Sequence, residues 1–260
     1  MNDTLLAPTP DSPVAPPGGP PGHAPSNGVR NAWLAIGSLF AVGLLAFGTL
    51  SVVDVLAHER TTEITTHDGV NTVVIRSDVG KVMVRAADVA EVTASARVSD
   101  GLRATGVSRV LDGGRLVLLS TCPNLGGTWC SVDWDVVVPL GTDVVVRSDD
   151  DRAEVIGEFG TVDLRSEHDG VTFDGVARSA VVESEHGSVA VRLAEAPDSV
   201  RALSEHGNVD VVVPDVDDGY RVEVSSDQGS TDIGVRTDPN AVRTIEARSG
   251  HGNVTVDATP

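Results

Sequence analysis

Four histidines occupy equivalent places in a short repeated turn, and they are the side chains of this sequence best suited to chemistry. They are His168, His186, His206 and His251, of which the first three follow a glutamate: Glu167, Glu185 and Glu205. Imidazole and carboxylate are ligands of zinc and similar ions. If the turns stack in register, these groups form a column that could bind metal or sense pH. The alternative is a solvated turn, and Gln228, at the same place in another copy, weakens the case for a continuous column.

The acids of the chain do not have the pattern of a catalytic pair. Enzymes that cleave polysaccharides need unique, convergent carboxyl groups, usually beside aromatic rings. Here the acids are periodic, and the repeated region has only Phe159, Phe173 and Tyr220 as aromatic residues. The sequence also lacks a phosphate loop, a nucleophile elbow and a dinucleotide fingerprint. We therefore predict no enzymatic activity, no cofactor and no committed metal site, with the four histidines as weak metal candidates.

The elements that position the histidines repeat along the C-terminal half of the chain. Each copy reads Ser-x-x-Gly-x-Val or a close variant, and the copies begin at Ser77, Ser166, Ser184, Ser204, Ser226 and Ser249, with a degenerate copy at Ser148. From Ser148 onward the serines are 18, 18, 20, 22 and 23 residues apart. The glycine is expected to adopt a positive φ at a corner, and the serine hydroxyl to bond backbone groups of the turn.

Apolar and polar residues alternate on both sides of each turn, as in Val209-Asp210-Val211. Alternation places the valines on one face of a strand. A rung of about 20 residues cannot bury that face alone, but stacking rungs about 4.8 Å apart creates a continuous core. The pattern therefore predicts an all-β fold, a parallel β-solenoid over residues 147–260. A β-sandwich is the alternative.

Residues 61–146 are less regular but also indicate strands, namely Thr72–Arg76, Val82–Arg85, Glu91–Val98, Leu116–Leu119 and Val132–Pro139. We interpret this region as the first rungs and a membrane-proximal cap. It contains the two cysteines of the chain, Cys122 and Cys130. An even pair in a β-rich domain favours a disulfide and an oxidising compartment, with free thiols or a metal site as alternatives.

The N-terminal residues predict a tail and a membrane anchor. Residues 1–30 are rich in Pro and Gly and have the composition of a disordered segment. The 22 residues from Ala32 to Val53 carry no charge. Such a run spans a bilayer core of about 30 Å, which predicts a transmembrane helix over residues 31–57. A signal peptide cleaved near Val55-Leu56-Ala57 is the alternative. With the disulfide, this favours a cytoplasmic tail and an extracytoplasmic C-terminal domain.

Composition restricts the partners. The formal net charge is −19 and aromatic residues make up 3% of the chain. An acidic chain repels phosphate backbones, so nucleic acid is not an expected partner. Few aromatic residues and many valines suit thin, stacked strands.

The segment from Val138 to Val146, Val-Pro-Leu-Gly-Thr-Asp-Val-Val-Val, followed by repeated Ser-x-x-Gly-x-Val turns, resembles the bacterial DUF4097 family of adhesin-like proteins. The resemblance covers about Val70 to Val256. The chain departs from the family's usual turn by placing Glu-His or Gly-His before the glycine. The resemblance implies a right-handed β-solenoid at the cell surface, behind a membrane anchor.

Together these features predict a single-pass protein of the cell membrane whose outer solenoid is an adhesin-like binding or structural module. Its expected partner is an unidentified protein or cell-wall glycan. The alternatives are an envelope-sensing partner of a membrane signalling system and a solenoid enzyme acting on polysaccharide. Because one fold supports many functions, the resemblance alone does not decide among them.

Overall fold

The computed structural model describes residue 36 and residues 59–100, 105–122 and 130–259. The chain divides into two compact units, Met1–Thr49 and Leu50–Pro260, and every described strand belongs to the second. The predicted tail (1–30) and transmembrane helix (31–57) lie outside the described residues, except that Ile36 is helical. Within the described ranges, no helix has the length and apolar character needed to cross a bilayer.

The second unit consists of short strands. They are β1 (Glu59–His67), β2 (Thr72–Ser77), β3 (Val82–Ala87), β4 (Val92–Asp100), β5 (Gly106–Asp112), β6 (Arg115–Thr121), β7 (Ser131–Pro139), β8 (Asp143–Ser148), β9 (Ala153–Glu158), β10 (Thr161–Ser166), β11 (Val171–Val176), β12 (Ser179–Ser184), β13 (Val189–Leu193), β14 (Ser199–Ser204), β15 (Val209–Val213), β16 (Arg221–Ser226), β17 (Thr231–Ile233), β18 (Thr244–Ser249) and β19 (Val254–Ala258). All five strands predicted between residues 61 and 146 are present.

The strands form two long, mostly parallel sheets. Sheet A has the order β1-β4-β7-β3-β9-β11-β13-β15-β19-β17, and sheet B has the order β16-β18-β14-β12-β10-β8-β2-β6-β5. A rung is one strand of sheet B, a turn and the next strand in sheet A. Parallel neighbours pair in register, so that Ser166 lies opposite Ser184 and Ser184 opposite Ser204. This arrangement is consistent with the predicted β-solenoid.

The core lies between the sheets and follows the predicted alternation. In β12 the residues are alternately half-buried and buried, and the buried ones include Val182. The apolar side chains of both sheets form one continuous cluster that is rich in valine. A β-sandwich would have antiparallel hairpins throughout. Here the described antiparallel pairs are confined to β1 with β4, β4 with β7 and β5 with β6.

The spatial order of the rungs differs from the sequence order at both ends of the stack. The rung β2–β3 lies between β6–β7 and β8–β9, since β2 pairs with both β6 and β8. The last rung of the chain, β18–β19, lies between β14–β15 and β16–β17. The chain therefore inserts its first and last rungs into the stack, and β16–β17 is the terminal rung.

The opposite end of the stack is closed by the antiparallel strands. Arg109 of β5 forms a salt bridge with Glu63 of β1 at 2.9 Å, and its guanidinium lies 5.6 Å from the ring centre of Trp134 in β7. These contacts join the edges of the two sheets. The predicted disulfide between Cys122 and Cys130 is present in the same region. Charged and antiparallel edges of this kind protect a sheet from pairing with other chains.

Candidate functional site

The serines of the repeated turns are buried, except for the half-buried Ser226, and are a structural part of the site. Ser204 Oγ accepts a hydrogen bond from the N–H of Gly207 at 2.8 Å and donates one to the carbonyl oxygen of Gly187 at 2.8 Å. Ser184 and Ser249 repeat both contacts with their own turns and neighbours. The prediction that the hydroxyl bonds turn backbone is confirmed. One of the two bonds joins adjacent rungs, so the serines hold the turns in register.

The repeated glycine is required for close packing between turns. A Cβ atom at Gly207 would lie 2.3 Å from the carbonyl oxygen of Gly187, and one at Gly252 would lie 2.2 Å from that of Gly207. The predicted positive φ is wrong for these two glycines and for Gly187, although Gly80 of an earlier copy has a φ of 120°. Each turn lies directly on the next, so the backbone of the neighbouring turn occupies the space that a side chain would need.

The four histidines form a continuous stack, which we call the His ladder (His168, His186, His206 and His251). The ring centres of successive members are 5.6, 4.9 and 4.7 Å apart, and the ring planes differ by 9°, 4° and 5°. All four are exposed at the corner where sheet B enters the turn. Gln228, which weakened the case for a continuous column, does not lie between the histidines, because β18 lies between β14 and β16 and brings His251 directly onto His206.

One hydrogen bond fixes the orientation of every ring in the ladder. The Nδ1 atoms of His168, His186, His206 and His251 lie 3.1, 3.1, 3.3 and 3.2 Å from the carbonyl oxygens of Asp149, Glu167, Glu185 and Glu205, respectively. A carbonyl oxygen only accepts, so Nδ1 donates. In a neutral imidazole this leaves the proton on Nδ1 and a lone pair on Nε2. The ladder is thus a row of rings with the same tautomer and orientation.

The geometry of the ladder does not suit a shared metal ion. Because the rings are nearly parallel, equivalent Nε2 atoms are separated by about the distance between ring centres, 4.7 Å or more. Two nitrogens on one zinc ion at 2.0–2.1 Å lie at most about 4.2 Å apart. Bringing them together would break the Nδ1 contacts to backbone. The described part of the chain also contains no group of three or more His, Cys, Asp or Glu placed to hold a metal ion.

A second column, of carboxylates, lies beside the ladder; we call it the acid column (Asp149, Glu167, Glu185 and Glu205). Each member directly follows a buried turn serine and is exposed. Although Asp149 is exposed, partial desolvation by the neighbouring turns raises the pKa of its carboxyl, and the charges of Glu167 and Asp78 raise it further. Asp150 contacts the ladder from the adjoining turn, since its carboxylate lies 3.3 Å from His168 Nδ1.

Four arginines of sheet B are paired with acids other than the acid column, in a zigzag that sequence reasoning did not find. Its successive members are Arg147, Asp163, Arg165, Glu183, Arg201, Glu246, Arg248 and Glu223. The distances range from 2.8 Å for Arg147–Asp163 to 3.3 Å for Arg201–Glu183, and Arg248 also contacts Glu223. The signal was present in the sequence: every copy has a charged residue one or three positions before its serine, an arginine in some copies and an acid in others.

The pairing of the zigzag leaves the acid column without a basic partner. Among the described salt bridges, none joins Asp149, Glu167, Glu185 or Glu205 to an arginine or lysine. The arginines nearest along the chain, Arg147 and Arg165, are held by Asp163. The corner therefore keeps a net negative charge that the fold itself does not compensate.

The acid column, together with His206 and His251 of the His ladder, lines a groove of about 780 Å³ that follows the corner across six turns. Asp149 and Glu167 are at one end, whereas His251 and Asp227 are at the other. With rungs about 4.8 Å apart, six of them extend over roughly 24 Å. Most of the lining residues carry polar or charged side chains, Leu203 is the one large apolar side chain among them, and imidazole is the one aromatic ring. A groove of this shape and charge fits an extended, positively charged chain better than a compact ligand.

The fold is found in a protein of known structure. A candidate cell adhesion protein from Clostridium sporogenes ATCC 15579 has a TM-score of 0.50 and 10% identity, over 77% of this chain and 100% of its own length. A candidate adhesin from Bacteroides fragilis NCTC 9343 has a TM-score of 0.39 and 12% identity, over 77% of this chain and 97% of its own. No family model and no curated protein matches the sequence. The first likeness shows the fold alone.

Proposed function

We propose that this chain is a non-catalytic, adhesin-like binding module held at the cell surface by a transmembrane helix over residues 31–57. The observation that carries the proposal is the corner groove, which six rungs build from equivalent residues. A surface that repeats the same groups along a rigid stack suits recognition of an extended partner. Catalysis would require singular groups that converge on one bond. The likeness to the Clostridium sporogenes structure supports the same role.

We also propose that the stack of rungs is right-handed and that it lies outside the membrane. Strands β10 and β12 are parallel neighbours joined through β11 in the opposite sheet, and crossovers between parallel strands of one sheet are right-handed in about 98% of cases. The Cys122–Cys130 disulfide supports an oxidising, extracytoplasmic location. The partner that we propose is a cell-wall glycan or a surface protein, and not a nucleic acid, because the net charge is −19.

The test is binding of the full chain to isolated cell envelopes and to a glycan array. The groove variant is Glu185→Gln/Glu205→Gln. Its matched control is Glu91→Gln/Asp112→Asn, which removes two exposed charges away from the groove. We expect the wild type and the control to bind equally, and the groove variant to bind about tenfold more weakly.

Equal binding by the groove variant and the control would exclude the groove as the recognition surface. Release of sugar products that stops when one acid is substituted would overturn the non-catalytic role. Location is measured separately, by protease treatment of intact cells that display the full chain. Complete protection of residues 59–260 in intact cells, with digestion after lysis, would contradict an outer domain.

A further inference from the structure

Two members of the His ladder, His206 and His251, line the groove, and the other two are stacked on them in the same column. Among the side chains that line the groove, imidazole is the one type that ordinarily changes charge between pH 5 and 8. We infer that the His ladder is a charge switch for the groove. With neutral imidazoles the groove binds an extended cationic chain, and with protonated imidazoles it releases that chain. This inference rests on the proposed function, since it names the class of partner and the regulation of the same surface.

Protonation of the ladder needs no movement of the rings. Each Nδ1 already donates to a carbonyl oxygen of the neighbouring turn. The added proton therefore goes to Nε2, and the bond from Nδ1 to backbone remains and is strengthened by the positive charge. The charge appears on a fixed ring, within a row whose spacing is set by the stacking of the rungs.

The groups that face the ladder from the neighbouring turns are mostly acids. They are the members of the acid column together with Glu183, Asp227 and, against His168, Asp150. Three arginines of sheet B also line the groove, of which Arg147 and Arg165 are paired with Asp163. The Oδ2 of Asp151 accepts from the N–H of Gly80, and the Oδ1 of Asp169 accepts from the N–H of Gly170. Arg248 is paired with Glu246 and Glu223. The uncompensated charge beside the ladder is therefore negative when the rings are neutral.

The two columns match in number. Four imidazolium charges would offset the four carboxylate charges of the acid column. Three of these carboxylates share a turn with a histidine, and the fourth, Asp149, lies in the turn next to that of His168. A cationic ligand would then lose its attraction and meet like charges on the same corner.

The experiment measures binding of a fluorescent decalysine peptide to the full chain at pH 7.5 and 5.5, at one ionic strength, by anisotropy. Lysine side chains keep their charge at both values. The ladder variant changes His168, His186, His206 and His251 to Gln, which the fold already accepts at Gln228. His67→Gln, in β1, is the matched control. Ring ¹⁵N resonances of the wild type report the tautomer and the titration of the ladder.

We expect the affinity of the wild type and of His67→Gln to fall about tenfold between pH 7.5 and 5.5, and that of the ladder variant to change less than about twofold. An equal fall in all three proteins would overturn the switch, as would ¹⁵N shifts showing the Nε2–H tautomer at pH 7.5. A wild type that does not bind decalysine at pH 7.5 would overturn the inference too. It would leave the proposed function standing, because that function is tested on envelopes and glycans.

Discussion

The imidazole of His251 lies 4.7 Å from that of His206 and within 5° of parallel to it, although the turn at Gln228 comes between them in the sequence. This contact exists because β18 pairs with β14 on one side and with β16 on the other. The ladder is therefore continuous only in the folded order of the rungs. The insertion of the last rung completes the surface that we propose for binding.

Engineered disulfides test that order directly. We expect His206→Cys/His251→Cys to form a disulfide under mild oxidation, because the two positions follow the paired residues Ser204 and Ser249 in adjacent turns. His206→Cys/Gln228→Cys should not, since two rung spacings, about 10 Å, exceed the Cα separation that a disulfide allows. Peptide mapping of the unreduced protein by mass spectrometry separates the new bridge from Cys122–Cys130. Cross-linking of the second pair alone would contradict the inserted rung.

Sequence reasoning predicted the features that depend on one rung at a time. The alternation of Val209 and Val211 with polar residues defines the buried face of a strand, and the recurring serine marks the turn. Both are local, so they can be recognised in each copy separately. The disulfide between Cys122 and Cys130 was also predictable, because no other cysteine is available.

The order of the rungs could not be predicted, because successive rungs present nearly the same valine-rich face to their neighbours. Strand β14 therefore pairs with β18, although β16 is the strand of sheet B that follows it in the sequence. For the same reason the stack of His206 on His251 and the zigzag of arginines and acids emerge only when the rungs are assembled. The membrane anchor over residues 31–57 stays a prediction.

Gly207 tests the close packing of the turns. We expect Gly207→Ala to lower the free energy of unfolding by about 1–3 kcal/mol, because its Cβ would overlap the carbonyl oxygen of Gly187 and force the rungs apart. Urea denaturation followed by circular dichroism measures the change. Glu205→Ala, at an exposed position of the same turn, is the control and should change stability by less than about 0.5 kcal/mol. Equal stability of the two variants would show that the turns have room for a side chain.

Ser204 tests the hydrogen bonds that join the rungs. We expect Ser204→Ala to cost about 1–3 kcal/mol, because the N–H of Gly207 loses its acceptor and the carbonyl oxygen of Gly187 loses a donor within a buried turn. Ser225→Ala removes the same atom from an exposed position of β16 and serves as the control. Amide hydrogen exchange should be faster at Gly207 in the first variant only. Unchanged exchange there would contradict a structural role for the hydroxyl.

Asp163 links the zigzag to the pH dependence of stability. Partial burial raises its pKa, but the hydrogen bond and charge of Arg147, with those of Arg165, outweigh burial and hold the pKa below its usual value. Because the pKa of Asp163 is lower in the folded chain than in the unfolded chain, its carboxylate stabilises the fold at pH values above the unfolded pKa of about 3.9. This stabilisation is lost as the pH falls through the pKa of the folded chain. We therefore expect Asp163→Asn to lower the thermal midpoint at pH 7, with the difference from wild type narrowing below about pH 4. A constant difference across this range would contradict the pairing.

Asp149 should behave in the opposite way. Burial raises its pKa, as do the charges of Glu167 and Asp78, so the folded chain holds this proton more tightly than the unfolded chain. At neutral pH the ionised carboxylate therefore destabilises the fold. This destabilisation disappears as the pH falls through the raised pKa of the folded chain toward the ordinary pKa of about 3.9. We expect Asp149→Asn to raise the thermal midpoint at pH 7 and to lose this advantage near pH 4.

Asp112→Asn, at an exposed place in β5 outside the acid column, is the control and should shift the midpoint little at either pH. A lower midpoint for Asp149→Asn at pH 7 would show that the carboxylate has a stabilising partner, and the acid column would then not be available to bind a cationic chain.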